Sequence, residues 1–156
     1  MYSRLLFFLM LIFWGAGAFC QPLAFKLRPM EGYYIVGNHT FQKGINFLVI
    51  SDERQFQRLF GTFTEKEDYP NFEFEHVLVI AMEPGPKQAY LSFEEQAMKA
   101  GESIEVYCHI RTERHKLTYD HHPIAVAAIP KYLHLRDIRF YGAEDKKLLK
   151  TIVIGR

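Results

Sequence analysis

The chain has little cysteine: two residues in 156, Cys20 and Cys108. That is too few for a disulfide framework, and a bridge arises only if Cys20 is retained and reaches Cys108. Net charge is also missing. Nineteen Lys and Arg face eighteen Asp and Glu, with no polybasic tract. This excludes the electrostatic footprint of a nucleic-acid binder or of a protein held on an anionic membrane. There is no internal repeat and no low-complexity segment. Past residue 20, no apolar run approaches the roughly 20 residues of a membrane-spanning helix. Regular alternation of strand and helix signals is absent too, which argues against a parallel sheet.

What is present begins with a leader pattern. Arg4 supplies positive charge, Leu5 to Trp14 are apolar, and Gly15, Ala16, Gly17 and Ala18 are small. Residues 1–20 have the form of a secretory signal peptide, so an exported protein is expected, periplasmic or extracellular. Cleavage is possible before Phe19 or before Gln21. Phe19 beside Cys20 disfavours lipidation and an outer-membrane anchor. Half of the chain is hydrophobic, 15% is aromatic and 24% is charged. That composition belongs to one packed domain rather than a disordered tail. A mature chain of this size buries about two-thirds of its unfolded surface and needs no staples.

The pattern is organised around Val77 to Met82, six apolar residues stopped by Glu83-Pro84-Gly85-Pro86. A short β-branched run of this kind is expected as a strand buried on both faces. Residues 21–31 carry two prolines and no period, and are expected as a linker or N-terminal arm before a domain over 32–156. Tyr33 to Val36 forms a short edge strand in this reading. Asn38-His39-Thr40 fits a glycosylation sequon. Ile45–Ile50 is expected as a strand, followed by one short helix between Ser51 and Phe60. Ser51 or Asp52 caps that helix, Phe56, Leu59 and Phe60 form its apolar face, and Gly61 stops it.

Further strands are expected at 88–93, at 103–110 with Cys108 on the apolar face, and at 124–129 between prolines. A terminal hairpin covers 137–141 and 148–154. Residues 62–71, 94–102 and 111–122 are expected as polar connections. Together these make an α+β, β-rich antiparallel domain, a sandwich or open barrel with one short helix.

Four stretches carry a family resemblance. They are Ile50-Ser51-Asp52-Glu53-Arg54-Gln55-Phe56 with Leu59-Phe60; Pro70-Asn71-Phe72-Glu73 running into Glu75-His76-Val77-Leu78-Val79; Gly85 with Tyr90; and Pro123 with Ile129-Pro130-Lys131. Their order resembles the C-terminal domain of the PrcB family, named for a protease-complex subunit. The family's turn is usually Thr-Gly-Gly-Tyr, where this chain has Lys87-Gln88-Ala89-Tyr90. The resemblance implies a non-catalytic envelope protein of a Gram-negative bacterium that supports a protein partner such as a protease.

The residues themselves offer little catalytic chemistry. Cys108 and His109 are adjacent, so in a strand they face opposite ways, and the thiol is expected in the core. There is no G-x-S-x-G. No catalytic residue and no cofactor are expected. Phe47, Phe56, Phe60, Phe74 and Phe93 are assigned to the core. Tyr69, Lys87, Gln88, Tyr90, Arg111, Arg114 and Tyr119 are the partner-contact candidates, because tyrosine and arginine mixed in exposed loops suit protein contacts. His115, Asp120, His121 and His122 are the alternative, a metal or small-molecule site in the 111–122 loop.

Overall fold

The expected central strand is there. In the computed structural model, which describes residues 22–36, 41–62 and 68–155, strand β6 spans Glu75–Met82 and Val77 to Ala81 are wholly enclosed. Before it come β1 (Leu23–Lys26), β2 (Arg28–Pro29), β3 (Tyr33–Ile35), β4 (Ile45–Ile50), helix α1 (Glu53–Leu59) and β5 (Phe60–Thr62). After it come β7 (Gly85–Phe93), β8 (Gln96–Ala100), β9 (Ser103–His121), β10 (Ile124–Pro130), β11 (Asp137–Gly142) and β12 (Leu148–Val153).

The burial of β6 has two sides because it lies in a middle layer. Its antiparallel sheet runs β2-β10-β6-β4. On one face, Leu78, Ile80, Ala127 and Ile129 pack on Ile104, Val106, Cys108, Ile138 and Phe140 of a larger sheet, β1-β8-β9-β11-β12 with β7 also on β9. On the other face, Val77, Val79, Ala81, Val126 and Ala128 pack on Met30, Phe56, Leu59 and Phe60. Three layers result: a large sheet, a four-stranded sheet, and a cover of α1 with the β3-β5 pair. Among the described residues the domain is β-rich with one short helix, and its sheets do not close into a barrel.

The helix begins as its cap dictates. Asp52 is the N-cap and accepts from the Gln55 amide at 2.9 Å, with Glu53 in the first turn. Gly61 does not stop it. The helix ends on extended Phe60 and passes straight into β5. Gly61 is bare because the Tyr34 ring lies over it; an added Cβ would stand 2.4 Å from the ring.

Several expectations are corrected. The stretch expected as a linker or N-terminal arm is, from Leu23 to Met30, built into the domain: β1 pairs with β8, β2 with β10, and Leu27 and Met30 are buried. The stretch has no single period because it serves two sheets in turn. The 94–102 connection contains β8, anchored by buried Ala97. The 111–122 loop is the second half of β9, laddered to β7. One pair, β9 with β11, is parallel; the chain visits the middle sheet as β10 between them, which allows a crossover return. Phe74 is not core but 60% exposed, because residues 72–74 form a turn ahead of β6. The signal peptide, Cys20, residues 38–40 of the sequon and residues 63–67 of the acidic loop lie outside the described residues.

These positions predict opposite outcomes for two neighbouring truncations. Leu78→Ala should cost about 2–5 kcal/mol by opening a cavity between sheets. Phe74→Ala should stay within about 0.5 kcal/mol. Urea unfolding of both variants measures the difference, and comparable losses would contradict the layered packing.

Candidate functional site

Most of the expected contact residues meet on one ribbon. β7 and β9 run antiparallel, with Tyr90 opposite Arg111 and Lys87 opposite Lys116. From Ala89 to Gly85, β7 advances four positions while β9 advances nine, from Thr112 to His121. Surplus residues on one strand are bulged outward. There are two such bulges, one holding Arg114 and the other Tyr119; Tyr119 is 63% exposed and Tyr90 51%. Gln88 donates to the Tyr90 hydroxyl and fixes it against the ribbon. Among the described residues, no carboxylate lies within ion-pair distance of Lys87, Arg111, Arg114 or Lys116. Six of the seven candidates therefore lie on one ribbon rich in cations and tyrosine.

Tyr69 does not join them. Its hydroxyl donates to Glu53 Oε1 at 3.1 Å and accepts from Gln57 Nε2 at 3.2 Å. Its ring stands edge-on to Phe56 at 5.6 Å. It fastens the segment ahead of β6 onto α1, in the cover layer.

The metal candidates do not assemble. Among the described residues, no three His, Cys, Asp or Glu side chains converge on a point. Extended backbone advances about 3.3 Å per residue, which draws His115 away from Asp120 and His121. His122 turns inward and meets Phe41 edge-on at 4.9 Å. Burial, and then His121, lowers its pKa.

A second polar cluster has no signature in the sequence. Ser51 Oγ lies 2.9 Å from His76 Nδ1. Lys131 Nζ donates to the carbonyls of Ser51, at 3.1 Å, and of Phe72. A hydroxyl on an imidazole is the start of a nucleophilic site. Here the third partner is an ammonium, which cannot orient a base as a carboxylate does, and His76 is buried. Burial first, and the Lys131 charge second, push its pKa down to about 4. The cluster is a fastener that ties the β4-α1 corner to β6 and to the segment after β10. Contacts separated by 25 and 80 positions leave no local signature.

Cys108 sits as expected, 2% exposed within the inter-sheet core, with His109 exposed. Burial, and then the Glu94 charge, push its thiol up to about 12.

Beside the ribbon runs a groove of about 500 Å³. One wall is β7 from Leu91 to Phe93 with Glu94 and Glu95. The other is β10 from Ile124 to Ala127. The chain from Lys26 to Tyr33 closes one side. None of the expected contact residues lines it.

Two predictions follow from the buried groups. His76 stays neutral in the fold, and the unfolded state takes up its proton near pH 6.5. Stability should therefore be full above pH 6.5 and fall between 6.5 and about 4, by up to about 3 kcal/mol. Urea midpoints across that range should show the slope, and His76→Gln should remove most of it. The Cys108 thiol should ignore a disulfide reagent at mildly alkaline pH until urea is added; rapid modification of Cys108 itself in the native protein, located by peptide mass, would refute its burial. Comparison with known proteins finds no matching family model, no matching curated protein and no matching solved structure.

Proposed function

We propose that this is an exported, non-enzymatic protein-interaction domain that docks a partner protein through the β7-β9 ribbon. The observation that carries it is the exposed set of Lys87, Tyr90, Arg111, Arg114, Lys116 and Tyr119. Tyrosine and arginine are the residues on which interface energy concentrates. Cations with no ion-pair partner among the described residues lose little when they meet carboxylates on another surface, and they speed encounter with it. The leader pattern supports export. The resemblance of residues 50–131 to the PrcB family supports an envelope protease as the partner and an accessory, stabilising role.

Deleting residues 111–122 would remove half of a ladder, so substitution is the sound test. Arg111→Glu with Arg114→Glu should reduce partner capture from an envelope extract at least roughly tenfold, mainly through slower association. Tyr90→Ala with Tyr119→Ala should do so through faster release. Tyr69→Ala, on the cover layer, should leave capture unchanged. Thermal melts that match the parent would show the fold intact. Undiminished capture by both ribbon variants would remove this surface from the proposal.

A further inference from the structure

Backbone groups along the groove are unevenly satisfied. In an antiparallel ladder, alternate residues point their N–H and C=O at one neighbour and then the other. The Glu94 amide donates to the Tyr107 carbonyl of β9 at 2.9 Å. Tyr90 and Ser92 share that direction, so Leu91 and Phe93 point outward. The same outward row continues through Glu95, Ala97 and Lys99. There β1 fills it: Leu27 donates to the Glu95 carbonyl, and Phe25 and Leu23 stand opposite Ala97 and Lys99. Then the chain leaves. Arg28 stands opposite Ala128 in the middle sheet, Met30 donates to the Val126 carbonyl, and Gly32 at φ 79° turns the chain toward β3.

Two rows are thus abandoned part way. Leu91 and Phe93 have no strand on their outer side among the described residues, and neither has Ile124, next after Val126 on β10. These two vacant edges are the walls of the groove. Its lining between them is largely apolar, from Met30, Leu91, Phe93, Ile124 and Ala125. Three carboxylates, Glu31, Glu94 and Glu95, are set against one lining ammonium, Lys26. Lys26 lies 3.8 Å from Glu95 and Lys146 reaches Glu94 from outside, which leaves Glu31 without an ion-pair partner among the described residues.

The geometry points to a peptide site: an extended segment of a partner protein, apolar at alternate positions and with a basic residue at one end, adds as a strand along β7 where β1 stops. Main-chain bonds to Leu91 and Phe93 supply affinity for any extended chain, the apolar lining selects alternate side chains, and Glu31 takes the basic end. A small apolar ligand would leave the vacant N–H and C=O groups unmet. The inference is independent of the ribbon surface, and either can fail alone.

Amide hydrogen exchange on ¹⁵N-labelled protein tests it without knowledge of the natural partner. In the free protein, Leu91 and Phe93 should exchange far faster than Tyr90, Ser92 and Glu94. The probe is a nonapeptide that alternates valine with threonine and ends in arginine. At about 1 mM it should slow exchange at Leu91 and Phe93 roughly tenfold or more, and Glu31→Lys should weaken that effect. A backbone N-methylated peptide of the same sequence should give none. Slow exchange at Leu91 and Phe93 in the free protein would overturn the proposal, because the edge would then be occupied. So would absence of protection by the probe, or equal protection by the methylated peptide, which would mark an apolar pocket and not a strand acceptor.

Discussion

The structure depends on one two-stranded ribbon that belongs to both sheets. β6 and β10 are paired in the middle layer, and β7 and β9 are paired in the large sheet. They are the same two chains, continued through Glu83-Pro84 and through His122-Pro123. The Met82 amide still reaches the Pro123 carbonyl at 3.0 Å, and Gly85 lies opposite His121. Proline on each strand removes a backbone amide where the ladder breaks, so the ribbon can bend there without losing that ladder bond. That bend lays one half of the ribbon over the other. It creates the inter-sheet core, and it brings the outer edges of β7 and β10 to face each other across a groove.

The sequence carried the inner half of this ribbon clearly and the outer half poorly, for a physical reason. Val77 to Met82 had to be apolar on both faces, and such a run reads at once. Residues 111–121 touch one neighbour along a bulged ladder, so nothing forces an alternation on them. A charged strand exposed on both faces has the composition of a loop. The same reasoning covers residues 23–30. Leu27 enters one core and Met30 the other, and a segment that changes layer within three residues cannot display a period. Phe74 erred the other way: it looked like part of the strand it precedes, but the turn at 72–74 releases it from the sheet.

The candidate surface was legible as composition and illegible as place. Lys87, Gln88 and Tyr90 in one stretch, and Arg111, Arg114 and Tyr119 in another, were chosen for residue type. Only strand register brings them onto one ribbon, and register is long-range information. Tyr69 had the same composition but its hydroxyl is committed to Glu53 and Gln57. The histidines fail as a metal site for a related reason, since nearness in sequence becomes distance along an extended strand. Ser51, His76 and Lys131 show the converse: a tight cluster whose members are far apart in the chain.

The vacant edge of β7 is a consequence of how the cores are closed. Had the chain continued along β7 past Leu27, it would have completed the large sheet. It would then have left Val126 and Ala128 of the middle sheet without β2, and the second core without Met30. Covering both sheets with one short segment forces the ladder on β7 to stop early. An unpaired edge invites association with other chains, and natural proteins restrain such edges with charge or by recessing them. This one is recessed between two sheets and flanked by Glu94 and Glu95. Flat edge-to-edge stacking of copies is thereby hindered, whereas a single extended segment can still lie along the row. The feature that protects the fold from aggregation is thus the one that makes the edge selective.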